Sequence, residues 1–209
     1  MSTPPAAPME LLIATTNPGK VREFREMLGH SGLSFSDLSA HPQAQAVEET
    51  GHTFRANACL KASHYAKHFD TYAVADDSGL EVDALDGAPG VHSARWAEMN
   101  QAGKGDQDNN ALLLRQIQDV PDEKRSARFV CVLALSDPAG RILLTARDTV
   151  EGRVIRAAKG ANGFGYDPLF HIDSSGKTTA ELAPDEKHAI SHRGKALRHL
   201  RELMERMKL

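Results

Sequence analysis

The most constraining feature of the chain is an apolar tetrad that gives way, with no linker, to a helix. Leu11-Leu12-Ile13-Ala14 reads as a short buried strand over Glu10 to Ala14. Thr15-Thr16-Asn17-Pro18-Gly19-Lys20 follows. Val21, Phe24, Met27 and Leu28 then recur at the spacing of a helix face, with Gly29 or Gly32 as the stop. A buried strand that runs straight into an amphipathic helix belongs to an α/β domain. Later segments alternate in the same way. Leu33 to Leu38 is a weak strand, and Phe54 to Phe69 is helical with Thr53 as N-cap. Residues 71–82 read as strand, turn, strand. Asn109 to Ile117 is helical, and Phe129 to Leu135 is a buried strand. Asp137 to Gly140 is a turn, and Ile142 to Ile155 supplies one or two return strands. The last helix, 191–207, carries the stripe Ala196, Leu197, Leu200, Leu203, Met204 and Met207. Loops occupy 41–53, 87–107 and 160–170, the middle one expected to be mobile.

No repeat or long linker divides the 209 residues. Residues 1–8, MSTPPAAP, read as a disordered tail rather than a signal peptide, and 9–209 as one α/β domain with a largely central sheet. The net charge of −3 provides no global field for nucleic acid or a membrane, so an anionic ligand must be held by local groups. No apolar run approaches the roughly 20 residues of a membrane span. Cys59 and Cys131 form no CxxC pair and read as reduced packing residues, which favours the cytoplasm. The ten histidines contain no HExxH motif, and no zinc site is read.

Several stretches point to a bound anion. At a strand-to-helix junction, unpaired N–H groups and the helix dipole favour negative charge. Gly19 would admit a ligand close to the backbone, Thr15, Thr16 and Asn17 add neutral donors, and Lys20 adds a point charge. The plain alternative is an Asn-capped helix with proline at its first position. Lys20 and Arg22 nevertheless put cations where the dipole disfavours them. The last helix repeats this with His192, Arg193 and Lys195 after the N-cap candidate Ser191, and Lys187 lies just before. One polyanion explains both helices; a solvated basic turn would explain either alone. Asp76-Asp77 precede Ser78-Gly79, either as an Asx-turn closing a hairpin or as a carboxylate that binds Mg2+ or accepts a proton. Adjacent strand residues point to opposite faces, so one of the two faces a given cleft. Glu48-Glu49 offer further metal ligands. Residues 163–167, GFGYD, read either as a turn packing Phe164 and Tyr166 or as a platform for a flat base.

TTNPGK, EETGHTFRANACLKA, ADDSGLEVDAL, GAPGVHSAR, GFGYDPLF and DEKHAISHRGKAL occur in this order. Together they resemble the inosine triphosphate pyrophosphatase family from about Leu11 to the last helix. His92 and Trp96 stand where the family pattern has tyrosines. The resemblance implies an elongated α/β domain with a long mixed sheet and an active-site cleft between two lobes, usually in a homodimer. It also implies Mg2+-dependent hydrolysis of ITP, dITP and XTP to the monophosphate and pyrophosphate, which cleanses the nucleotide pool. Carried over by motif, Thr15, Thr16, Asn17, Pro18, Gly19 and Lys20 line the triphosphate site, and Lys61 reaches phosphate. Asp77 is the proton acceptor and a metal ligand, and Ser78 contacts substrate. Glu48 is the second metal ligand, with Glu49 as a one-residue alternative. Phe164, Gly165, Tyr166, Asp167, Lys187, His192 and Arg193 are the base-side contacts. His192 as imidazolium, or Arg193, would donate to the acceptor at C6 of hypoxanthine or xanthine, and so reject ATP. The competing readings are a pyrophosphatase for another damaged base and a nucleotide-binding module without turnover. The acidic residues argue against the second, and the charge balance disfavours a nucleic-acid partner.

Overall fold

The computed structural model describes residues 10–28 and 34–207. The expected tail at 1–8 and the helix stop at Gly29 or Gly32 lie outside the described residues. In chain order the elements are β1 (Glu10–Ile13), α1 (Pro18–Leu28), β2 (Ser34–Asp37), α2 (Phe54–Phe69), β3 (Tyr72–Val82), α3 (Trp96–Met99) and α4 (Asp106–Gln116). They continue with β4 (Ser126–Ser136), β5 (Ile142–Val154), β6 (Phe170–Ile172), β7 (Lys177–Thr178), α5 (Pro184–Ile190) and α6 (His192–Met207). The seven strands form one mixed sheet in the order β2-β1-β3-β4-β5-β6-β7. β1 runs parallel to both β2 and β3, and every later pairing is antiparallel.

The side-chain alternation of β1 explains why it reads as continuously apolar. Leu11 and Ile13 join a core with Phe24 of α1 and with Ala196, Leu197, Leu200 and Met204 of α6. Leu12 and Ala14 join a second core, with Ala58, Ala62, Tyr65 and Ala66 of α2, on the opposite face. A strand covered by helices on both sides has no solvent face to mark with polar residues. A third cluster, around Leu80, Phe129, Val150, Phe170 and Leu113, fills the far end of the long strands. Thr53 caps α2 as expected, its Oγ1 accepting the Ala56 N–H at 3.1 Å, a contact worth about 1 kcal/mol. No helix among the described residues is long and apolar enough to cross a membrane.

The structure corrects the sequence expectations at three places, 71–82, 87–107 and the segment before the last helix. Residues 71–82 are not strand, turn, strand but one continuous strand, because β4 pairs with Asp76, Asp77, Ser78 and Gly79 in unbroken register. Gly79 serves close packing rather than a turn, since a Cβ there would collide with the Gly90 carbonyl and the Ser93 hydroxyl. Of the one or two return strands expected from Ile142, the structure has one, over 142–154. The loop at 87–107 is largely structured, with a 3₁₀ segment at Gly90–Arg95 followed by α3. A short helix, α5, precedes the last one; Pro184 opens it, and Glu186 reaches back to accept the Ala183 N–H at 2.9 Å.

The topology itself creates the site. The chain leaves β1 for β2 on one side and returns to β3 on the other, so the connections diverge at the carboxyl end of β1. A crevice opens at such a switch point. β1 covers only Tyr72, Ala73 and Val74 of β3, and farther along Pro89 bridges Glu81 and Ser93 Oγ accepts the Leu80 N–H at 2.9 Å, so the stretch with Asp77 and Ser78 lies between the two, beside the crevice.

Candidate active site

The crevice has a volume of about 460 Å³ and is lined from both sides of the sheet. Its lining includes Thr15, Thr16, Asn17 and Lys20 at the start of α1, Lys61 of α2, and Asp77 and Ser78 of β3. Phe164, Gly165, Tyr166 and Asp167 close the opposite wall, with Lys187, His192 and Arg193 behind them. Residues far apart in the chain, selected from sequence alone, therefore meet in one cavity. Pro18, Gly19 and Glu48 do not line it.

The helix start shows the plain cap directly and also lines the crevice. Asn17 is a plain N-cap, its Oδ1 accepting the Lys20 N–H at 3.1 Å, with Pro18 at the first position. The same turn nevertheless faces the crevice. Gly19 has a different reason from the one expected. A Cβ there would collide with the Phe164 ring, so the glycine lets the 160s loop pack against α1.

The two neighbouring aspartates point to opposite faces, as strand geometry requires. Asp76 is fully buried. It accepts from Lys20 Nζ at 2.5 Å, Arg193 Nε at 2.8 Å, Ser78 Oγ at 2.7 Å and Cys131 Sγ at 3.2 Å. Burial pushes its carboxyl up, but Arg193 and Lys20 outweigh that and hold it well below the usual carboxylate range. Asp77, on the other face, accepts from Lys61 Nζ at 2.8 Å and Asn57 Nδ2 at 3.4 Å. Burial raises its carboxyl, and Lys61 offsets this only in part.

Glu49, not Glu48, is the acidic partner of Asp77. Glu49 Oε1 lies 2.7 Å from the same Lys61 Nζ and its residue lines the crevice, whereas Glu48 is exposed outside it. Glu49 is the central residue of a tight turn in which the Thr50 N–H donates to the Glu48 carbonyl at 3.1 Å, and of the pair it is Glu49 that faces inward.

Lys187 and Arg193, basic residues of the last helices, line the crevice but are already engaged within the protein. Arg193 is 2% exposed and each of its three guanidinium nitrogens is engaged, with Nη1 on Glu23 at 2.6 Å and Nη2 on Ser78 Oγ at 2.7 Å in addition to Nε on Asp76. Lys187 Nζ bridges Glu23 at 2.9 Å and Asp167 at 2.7 Å. Arg193 of α6 and Lys187 of α5 are thus held by internal carboxylates, and Lys195 Nζ donates to the Thr149 carbonyl at 3.0 Å. Glu23 was missed from sequence. Its signal was a carboxylate on the buried stripe of α1, one turn from Lys20. His192 is not an imidazolium; burial, reinforced by Arg193, holds its ring far below the usual histidine value and keeps it neutral. The ring stacks on Phe129 with centroids 4.8 Å apart. Four buried side-chain polar atoms lack a partner among the described residues, and only His192 Nδ1 belongs to a crevice residue.

In the GFGYD loop, only Phe164 keeps the character of a platform. Tyr166 is buried and donates to the Ser93 carbonyl at 3.0 Å, the Gly165 N–H is taken by Asp106 at 2.7 Å, and Asp167 accepts from Lys187 and the Phe164 N–H. Lys187 and Arg193 lie 5.1 and 5.6 Å from the Phe164 ring centroid, which fixes the ring at the crevice wall.

Residues 11–203 match the Ham1 family. The chain belongs to the Ham1 family. It is 53% identical to the dITP/XTP pyrophosphatase of Exiguobacterium sibiricum over 192 residues, covering 92% of this chain and 95% of the relative. It is 49% identical to the dITP/XTP pyrophosphatase of Geobacillus kaustophilus over 196 residues, 94% of each chain. Among solved structures, the Staphylococcus aureus Ham1 protein superposes with a TM-score of 0.81 at 39% identity, covering 94% of this chain and 98% of its own. A Mycobacterium abscessus nucleoside-triphosphatase / dITP/XTP pyrophosphatase gives 0.73 at 45% identity, covering 92% and 98%. The mixed sheet and its crevice are therefore the Ham1 architecture.

Proposed function

We propose that this Ham1 protein is an Mg2+-dependent pyrophosphohydrolase of non-canonical purine nucleoside triphosphates, ITP, dITP and XTP. The observation that carries the reading is the convergence of Asp77 and Glu49 on one cation position, beside a helix start that faces the same crevice. Its relatives at 49% and 53% identity bear the name dITP/XTP pyrophosphatase.

The donor set fits a hard divalent ion. Two carboxylates lie 2.7 and 2.8 Å from a single ammonium, which occupies the point a cation would take. No group of three or more His, Cys, Asp or Glu side chains gathers as a metal cage among the described residues. Mg2+ needs only one or two carboxylates, and fills its shell with water and substrate phosphates. When bound, Mg2+ would offset charge on the triphosphate and polarise the phosphoryl oxygens.

The chain supplies the rest. Thr15, Thr16 and the α1 start cradle the phosphates, and Lys20 and Lys61 add positive charge. Asp77, buried and raised in its proton affinity, orients a water toward the α-phosphorus and takes its proton as pyrophosphate leaves. Phe164 stacks the purine, and neutral His192 meets its edge through the unpartnered Nδ1. Free Cys59 and Cys131 suit a reducing cytoplasm, and a homodimer is the proposed assembly.

The test is pyrophosphate release from ITP, dITP, XTP, GTP, ATP and dUTP, with Mg2+ and with EDTA. Mg2+-dependent turnover led by the inosine and xanthosine nucleotides is expected. Turnover led by another nucleotide overturns the base assignment, and no turnover overturns the enzyme. Glu49→Gln is expected to raise the Mg2+ concentration for half-maximal turnover by about 10- to 100-fold. Glu48→Gln should leave it at the wild-type value, and the reverse pattern would return the role to Glu48.

A further inference from the structure

Lys61 occupies a position that its proposed phosphate role does not explain. Its side chain is only 13% exposed, and Nζ sits between Glu49 Oε1 at 2.7 Å and Asp77 Oδ1 at 2.8 Å. These carboxylates come from different elements, the 41–53 loop and β3, and Lys61 from a third, α2. Among the described residues, no other cation is as close to either. Lys20 is engaged by Asp76, and Arg95 Nη2 reaches Glu49 only at 4.0 Å. An ammonium at hydrogen-bond distance from two carboxylates lies where a divalent ion would have to bind both. The two cations cannot share that point, because like charges a few ångströms apart in a half-dry site repel strongly.

We propose that Lys61 is an exchangeable stand-in for the divalent cation: it holds Glu49 and Asp77 together in the nucleotide-free protein and must leave when the metal enters. This rests on the metal-dependent reading above. Two consequences follow. The nucleotide-free protein binds metal weakly, because entry breaks two charge-assisted contacts. Nucleotide and metal bind cooperatively, because the triphosphate gives the displaced ammonium a new anionic partner on the same crevice wall. Lys61 then carries positive charge onto the phosphates only after the metal has arrived, so that metal-free nucleotide meets an incomplete site. The flexible four-carbon lysine stem permits such a swing, where a planar guanidinium in the same place would be harder to release.

The experiment titrates Mn2+ as an EPR-visible probe into the full-length, nucleotide-free protein. Lys61→Met is expected to bind Mn2+ more tightly than wild type, on the order of tenfold or more. The gain should vanish in Lys61→Met/Asp77→Asn. Added pyrophosphate should tighten Mn2+ binding in wild type more than in Lys61→Met. Equal or weaker Mn2+ binding by Lys61→Met overturns the exchange while leaving the enzyme reading intact. No binding by either protein overturns the exchange, and pyrophosphate release by wild type, scored separately, decides the enzyme reading. If Lys61→Met does not fold, wild type still decides. Saturating Mn2+ alone should increase acylation of Lys61 by an amine reagent, read by peptide mass mapping, and unchanged labelling overturns the proposal.

Discussion

Asp77→Asn is expected to lower kcat on the preferred nucleotide by about 10²- to 10⁴-fold, the usual contribution of a positioned general base. The amide retains the shape of the carboxylate but cannot accept the proton of the attacking water. It also weakens one of the two carboxylates proposed for Mg2+. The fold should survive. β3 is held at this point by backbone pairing with Val132, and Lys61 keeps its contact with Glu49. Thermal melting and pyrophosphate release, measured on the same preparation, separate the two effects. A kcat close to wild type, with melting unchanged, would remove Asp77 from the mechanism. The adjacent Asp76 makes the contrast, because it is the buried anchor of Lys20 and Arg193 and reaches no open space.

Arg193→Met is expected to destabilise the protein by about 3–5 kcal/mol, the cost of leaving buried charges without their partner. Arg193 joins Asp76 of β3 to Glu23 of α1, so its loss affects two carboxylates at once. Urea denaturation should show a lower midpoint. The ITP/ATP ratio of kcat/KM should change little, since each guanidinium nitrogen already has a partner within the protein. A large selectivity change with normal stability would restore the base-reading role suggested by the sequence. The same network sets an acid limit. Burial pushes the Glu23 carboxyl up, but Arg193 and Lys187 bring it down from 4.5 to about 2. A carboxyl depressed on folding stabilises fully above its unfolded value and loses that contribution as pH falls through the folded one. The urea midpoint should therefore drop between pH 4.5 and 2. Glu23→Gln should flatten that part of the profile; an unaltered slope would place the acid sensitivity elsewhere.

The helices were the most legible elements. Their apolar residues recur every three to four positions, and caps such as Thr53 and Asn17 act within a single turn. The strand cores were legible for the same local reason. The DSG of β3 misled because those residues favour turns in isolation, and only the long partner β4 holds them extended. α5 was hidden because seven residues carry too little periodicity to separate from the helix that follows.

The site divides along a similar line. The sequence by itself determined the kind of chemistry. Acidic pairs, a capped helix start with a lysine, and a glycine-aromatic loop are residue types whose reactivity does not depend on where they lie. It also determined that Asp76 and Asp77 part company, since that follows from the pleat of any strand. Tertiary structure alone decided which charges are free. Lys20, Lys187 and Arg193 look alike in the sequence as exposed cations, yet each ends on a carboxylate distant in the chain. Glu49 rather than Glu48 enters the crevice because the loop and α2 bring it to Lys61. His192 is neutral because its neighbours bury it. Charge, unlike helix propensity, is set by surroundings within a few ångströms in space, and those surroundings come from parts of the chain far apart in sequence.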